Sequence, residues 1–183
     1  MAIQNIAVLG AGQMGNGITQ VAAAAGYNVT MIDIQQEYVD KGLATIERSL
    51  SKLVSKERMS QEDADATLAR ISLSTDRADC ADCDLVVEAV PEIVDLKTSI
   101  FAELDSICKP ETILASNTSS ISISTIADAT NRPDKVIGMH FMNPVPIMKL
   151  VEVINGNKTS SETNAAVIEA SEKMGKIALS CND

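Results

Sequence analysis

The sequence predicts a doubly wound α/β fold: a mostly parallel sheet with helices on both faces. Three observations predict it. An apolar run ends in a glycine-rich turn that opens a helical pattern within the first 26 residues. Short apolar runs then alternate with amphipathic ones along the whole chain. The composition, 45% hydrophobic and 22% charged over 183 residues, is that of a globular domain able to hold a core without disulfides or a structural metal.

Each element has its own warrant. Residues 3–9 are an apolar run ahead of Gly10, and Ile18, Val21, Ala22 and Ala25 recur at helical spacing up to Gly26, placed to end that helix. Residues 28–33 read as a second strand, so strand, turn, helix and strand form a βαβ unit, which requires parallel strands. Val39, Leu43, Ile46, Leu50 and Leu53 step by four, three, four and three, the pattern of a long amphipathic helix on which Ser49, Lys52 and Lys56 share a face. A helix over 61–70 and strands over 71–74 and 85–90 follow, the last apolar enough to lie centrally in a covered sheet. Ile93, Leu96, Ile100, Leu104 and Ile107 mark a helix closed by Pro110. Strands over 112–116, 136–141 and 148–154, a short helix over 122–129, a helix over 160–174 and a strand over 176–179 complete a single domain, residues 1–183.

Composition excludes several function classes. No charged residue occurs from position 1 to 32, but Gln4, Asn5, Gln13, Asn16, Gln20 and five glycines interrupt the stretch, so it is not a membrane span. Without a basic start and a small-residue cleavage site no secretory signal is read, and the expected setting is the cytoplasm. Four cysteines are then expected to be free thiols. Cys80 and Cys83 form a CxxC, but there is no second ligand pair and the single histidine lies far along the chain, so no metal site is expected. Asp79, Asp82 and Asp84 would raise a thiol pKa rather than activate it, and the segment reads as a turn. A net charge of -10 argues against a nucleic-acid partner. Positions 41–58 nevertheless carry five basic residues against two acidic ones, either a solvated helix face or a surface for a phosphorylated ligand.

Gly10-Ala11-Gly12-Gln13-Met14-Gly15 is a GxGxxG that directly follows a strand and opens a helix, and Asp33 lies 18 residues after Gly15 at the end of the second strand. Gly10 serves the tight turn, Gly12 the approach of backbone to a pyrophosphate, and Gly15 close packing of helix on strand. Backbone amides and the helix dipole then hold the anion, so no lysine is needed. Asp33 is placed to accept hydrogen bonds from the adenosine ribose and to repel a 2′-phosphate. Ile34 and Gln35 offer no compensating cation, so the expected cofactor is NAD rather than NADP. A methyltransferase uses a similar turn, but nothing in the second half of the chain supports that reading.

Two polar segments follow predicted strands: residues 115–120, Ala-Ser-Asn-Thr-Ser-Ser, and the run from Gly138 through His140, Asn143 and Pro144 to Glu152. Strand ends of this kind are where ligands bind in open α/β sheets. Together with the glycine motif and Val87-Glu88-Ala89-Val90, they resemble the short-chain L-3-hydroxyacyl-CoA dehydrogenases over essentially all of the chain. The resemblance implies a Rossmann-type NAD-binding domain and hydride exchange between NAD and a short-chain (S)-3-hydroxyacyl-CoA, interconverting 3-hydroxybutyryl-CoA and acetoacetyl-CoA. It implies that His140 is the general base, assisted by Glu152, and that Ser119 binds the substrate oxygen. It further implies that Glu92, Lys97, Asn117 and Asn143 line the cofactor side and that Ser49 and Lys56 contact coenzyme A, with Lys52 a weaker candidate. The family forms homodimers through a C-terminal helical domain, expected to be absent from this sequence. A non-catalytic module that holds NAD and coenzyme A is the alternative reading.

Overall fold

The computed structural model describes residues 2–183. Its elements are β1 (Asn5–Leu9), α1 (Gln13–Ala24), β2 (Asn28–Ile32), α2 (Gln36–Ser55), α3 (Gln61–Ala69), β3 (Ile71–Ser74), β4 (Leu85–Glu88), α4 (Val94–Ile107), β5 (Ile113–Ser116), α5 (Ile123–Ala127), β6 (Val136–Phe141), β7 (Leu150–Asn155), α6 (Ser161–Lys173) and β8 (Ile177–Asn182), with 3₁₀ turns at Arg77–Cys80 and Pro133–Lys135. They form one sheet in the order β3-β2-β1-β4-β5-β6-β7-β8. Neighbours from β3 to β6 are parallel, β7 runs antiparallel to β6, and β8 is parallel to β7. The first six strands thus have the doubly wound order whose direction reverses between β1 and β4, and a ligand crevice is expected at their carboxyl ends.

Alternation along each strand sorts the core onto two faces. Val8, Val87, Met139 and Val153 face α1 and α6, whereas Leu9, Val86, Leu114 and Val136 face Phe101 and Leu104 of α4 and Ile123 and Ile126 of α5. Met31, Val39, Ile46 and Leu50 make a third cluster under α2 and α3. Helices on both faces explain why the central strands are apolar throughout. Among the described residues no helix is long and apolar enough to cross a membrane.

Helix ends follow local chemistry. Ser60, Ser122 and Ser160 cap α3, α5 and α6, their hydroxyls accepting from the amides of Asp63, Thr125 and Thr163. α1 ends at Gly26, which has φ +104, with Tyr27 N–H donating to Ala22 C=O and Gly26 N–H to Ala23 C=O. The same pair of bonds closes α2, but there Glu57 holds the left-handed position at φ 58. The expected strand over 85–90 stops at Glu88, because Ala89 and Val90 turn away to the site. The strand expected over 148–154 begins at Leu150, and the one over 176–179 extends to Asn182. Cys80, Cys83 and Cys108 are buried and free. Burial, more than the acidic neighbours named above, pushes the Cys80 thiol up and the Cys83 thiol up to about 11.

Candidate functional site

The site is assembled at the carboxyl ends of β1, β4, β5 and β6. Gly10 turns the chain out of β1 at φ +106, where a side chain would strike the Ala89 carbonyl. A Cβ on Gly15 would stand 1.8 Å from the Gly10 carbonyl oxygen, so this glycine packs against the turn itself. Gly12 is different: a Cβ there would meet nothing within 4 Å, so its backbone borders open space at the start of α1. It also offers no side chain to the first-turn amides. Asp33 is tied to this turn, its Oδ2 accepting from Ala11 N–H at 2.8 Å and its Oδ1 from Ile34 N–H at 2.7 Å. Each oxygen retains a lone pair for a further donor.

Beside the turn lies a buried ion network. Lys97 and Glu88 are 1% and 0% exposed and meet at 2.6 Å. Lys97 also reaches Glu92 at 3.0 Å and the Val90 carbonyl at 3.1 Å. Glu88 accepts from Val90 N–H at 2.7 Å and from the Ser116 hydroxyl at 2.6 Å. Ser116 Oγ in turn accepts from Thr118 N–H, and Thr118 and Ser120 donate to Glu92 at 2.7 and 2.9 Å. Burial works to raise the Glu92 carboxyl, but the hydrogen bonds from Thr118, Lys97 and Ser120 outweigh it and hold the group below its ordinary value. The network therefore locks the 116–120 loop against the turn after β4.

His140 lies at the end of β6 and is paired directly with Glu152 of β7. The antiparallel turn between these strands is what puts the start of β7 beside the end of β6. Paired residues share a face of the sheet, so both side chains project to the α4 and α5 side. Their Nδ1 and Oε2 atoms are 3.8 Å apart, with the side chains 19% and 35% exposed. That separation is a charge contact once the imidazole is protonated, not a hydrogen bond; the carboxylate does not fix the tautomer directly in this structure. The loop after His140 is held from below by Lys176, which is buried and donates to the carbonyls of Val145 and Met148 at 2.5 and 2.7 Å.

A cavity of about 690 Å³ runs across these parts. Gly10, Gly12, Gln13, Met14 and Asp33 line one part of it; Glu92, Lys97 and Asn117 line another; Ser119, His140 and Asn143 also face it. Ser119 is exposed and makes no hydrogen bond to protein among the described residues. Glu152 instead lines an adjoining cleft, which Ser119 also borders. Asn117 has a structural duty, accepting from Phe141 N–H at 2.8 Å. Ser49 lies in α2 and Lys56 is the residue that caps its carboxyl end; neither lines the cavity. Sequence reasoning assigned no role to Glu88, Ser116, Thr118 or Lys176. A lone carboxylate ending the apolar strand Leu85–Glu88 was a readable signal of a buried partner.

Residues 5–183 match the protein family described as 3-hydroxyacyl-CoA dehydrogenase, NAD binding domain. The chain belongs to that family. A probable 3-hydroxybutyryl-CoA dehydrogenase of Deinococcus radiodurans is 54% identical over 176 residues, covering 96% of this chain and 63% of the relative. That of Bacillus subtilis is 49% identical, covering 100% of this chain and 64% of the relative. The crystal structure of 3-hydroxybutyryl-CoA dehydrogenase from Escherichia coli K12 superposes with a TM-score of 0.98 at 39% identity, over 100% of this chain and 39% of that one. The (S)-3-hydroxybutyryl-CoA dehydrogenase from Ralstonia eutropha gives 0.97 at 46% identity, over 100% and 64%. The chain thus spans less than two thirds of the length of these relatives.

The geometry of the site fits NAD. Open space before Gly12 leaves room for a pyrophosphate at the start of α1, and the anchored Asp33 carboxylate stands beside it with lone pairs to spare. The uncharged first 32 residues agree with an anion held by backbone amides.

Proposed function

We propose that the chain takes part in NAD-dependent oxidation of short-chain (S)-3-hydroxyacyl-CoA thioesters to 3-oxoacyl-CoA, and in the reverse reduction. The observation that carries this is a single cavity bordered by both the dinucleotide-binding turn and Ser119 and His140. Relatives named 3-hydroxybutyryl-CoA dehydrogenase support the four-carbon acyl group. When bound, NAD supplies the acceptor for the hydride that leaves C3. Since Nδ1 of His140 is turned to Glu152, Nε2 is the atom that takes the proton of the 3-hydroxyl. Glu152 then stabilises the imidazolium through its charge, an effect strengthened where water is partly excluded. Ser119 donates its unpartnered hydroxyl to the substrate oxygen.

Coenzyme A is assigned to the basic face of α2, through Ser49 and Lys56. Lys52, Lys56 and Arg58 have no carboxylate partner among the described residues, which suits a phosphorylated ligand on an otherwise acidic protein. Homodimerisation, which rests on the family resemblance, and a cytoplasmic setting belong to the same proposal. The test is NADH oxidation with acetoacetyl-CoA, with His140→Gln as control. Turnover should fall by about 10² to 10⁴ in the variant while NADH still binds. Equal turnover in both proteins would remove His140 from the reaction. NADH saturation without turnover in the unmodified chain would favour the binding module over the enzyme.

A further inference from the structure

Beside the cofactor cavity lies a second hollow of about 260 Å³ that shares Gly10, Asp33, Ile34 and Val90 with it. Because Asp33 stands on the boundary, a group attached to the adenosine ribose would point into this hollow. Its one cation is Arg77, from the 3₁₀ turn after β3, and its acidic groups are Asp33, Asp76 and Glu103. The arginine is not free. Both Nε and Nη2 of Arg77 meet Oε2 of Glu103 in α4, at 2.9 and 2.8 Å.

We infer that Glu103 is a specificity-determining residue: by holding the Arg77 guanidinium it keeps this cation from serving a 2′-phosphate, and so excludes NADP alongside Asp33. The inference rests on the reading of the cavity as an NAD site. A planar guanidinium is the side chain best matched to a phosphate, and an arginine beside the ribose is what an NADP site would need. Ile34 and Gln35 offer no cation, but the fold brings Arg77 from another element into a hollow bordered by Asp33. What matters is that the cation is occupied. With Arg77 paired, the hollow presents three carboxylates against one guanidinium and repels a dianion. Removing the Glu103 charge lowers that imbalance and releases the guanidinium together. Both side chains are partly exposed, 34% and 42%, so the change is expected to be modest and sensitive to salt.

NADH and NADPH titrations, followed by cofactor fluorescence, of the unmodified chain, Glu103→Gln and the double variant Arg77→Ala/Glu103→Gln test this. Glu103→Gln should tighten NADPH by about threefold to fivefold and change NADH by less than about twofold, the scale of an exposed ion pair. The gain should shrink at high salt and disappear in the double variant. A purely structural role for the pair would move both cofactors together. Unchanged NADPH affinity in Glu103→Gln, or a gain that survives loss of Arg77, would overturn the inference while NADH binding stands. Failure of the unmodified chain to saturate with NADH would overturn the NAD reading itself, and the inference with it.

Discussion

Replacing Glu88 by glutamine tests whether the buried network is held by charge. Glu88 is 0% exposed and receives three donors, from Lys97, Val90 and Ser116, all within 2.7 Å. A glutamine oxygen in the Oε2 position still accepts from Lys97 and Val90, but without its charge, and the amide NH2 then faces the Ser116 hydroxyl, which loses its acceptor. Lys97, itself 1% exposed, would keep a single carboxylate, Glu92 at 3.0 Å and 40% exposed, together with the neutral Val90 carbonyl at 3.1 Å. Breaking one partner out of a buried pair costs about 3–5 kcal/mol, and the surviving Glu92 contact puts this case at the lower end, about 3 kcal/mol. At a urea slope of about 2 kcal/mol/M the unfolding midpoint should drop by about 1.5 M. The double variant Glu88→Gln/Lys97→Met removes the stranded ammonium and should recover about 1–2 kcal/mol of the loss. A single-variant cost below about 1 kcal/mol, or a double variant no more stable than Glu88→Gln, would refute the argument from buried charge.

Two further predictions concern stability. Glu57 occupies a left-handed position at the end of α2, so Glu57→Gly should stabilise the fold by about 0.5–1 kcal/mol and raise the melting temperature by about 1–4 °C. Lys56→Gly, one residue earlier at φ -91, should not stabilise; equal gains from both would refute the argument from backbone conformation. Asp84 is subject to burial, which raises its carboxyl, but hydrogen bonds from Lys109 and from the amides of Asn5 and Gln4 prevail and hold it below its ordinary value. Its charged form therefore stabilises the folded chain fully above about pH 4, the unfolded carboxylate value, and the contribution is lost as pH falls through the folded value. Asp84→Asn should thus cost about 2 kcal/mol at pH 7 and progressively less as the pH is lowered below about 4; a cost independent of pH in urea titrations would contradict this.

The legible parts of the fold are those fixed by local chemistry. β1, α1 and β2 follow from apolar period and glycine placement, and the spacing from Gly15 to Asp33 gave the cofactor end because one βαβ unit sets the distance between them. Strand direction was not legible at β7: the run Leu150–Asn155 reads the same whether it pairs parallel or antiparallel, and only the tertiary fold decides. The end of α2 was hidden because Glu57 does the work usually given to glycine.

The same distinction separates the two halves of the site. His140 and Glu152 are twelve positions apart in a hairpin-like return, and a cross-strand pair is set by register, which a one-residue slip would turn to the opposite face. Their pairing therefore could be proposed from family resemblance but not from spacing. Arg77 and Glu103 lie 26 positions apart on different elements, and no local pattern links them. The charge of Arg77 is neutralised in the fold by a neighbour that its own sequence surroundings do not show. For cofactor choice the relevant quantity is then not which charged residues border the ribose but which of them remain unpaired. By that criterion Asp33, whose two oxygens are anchored by amides alone, keeps its full negative charge toward the ribose, while Arg77 has had its positive charge spent on Glu103.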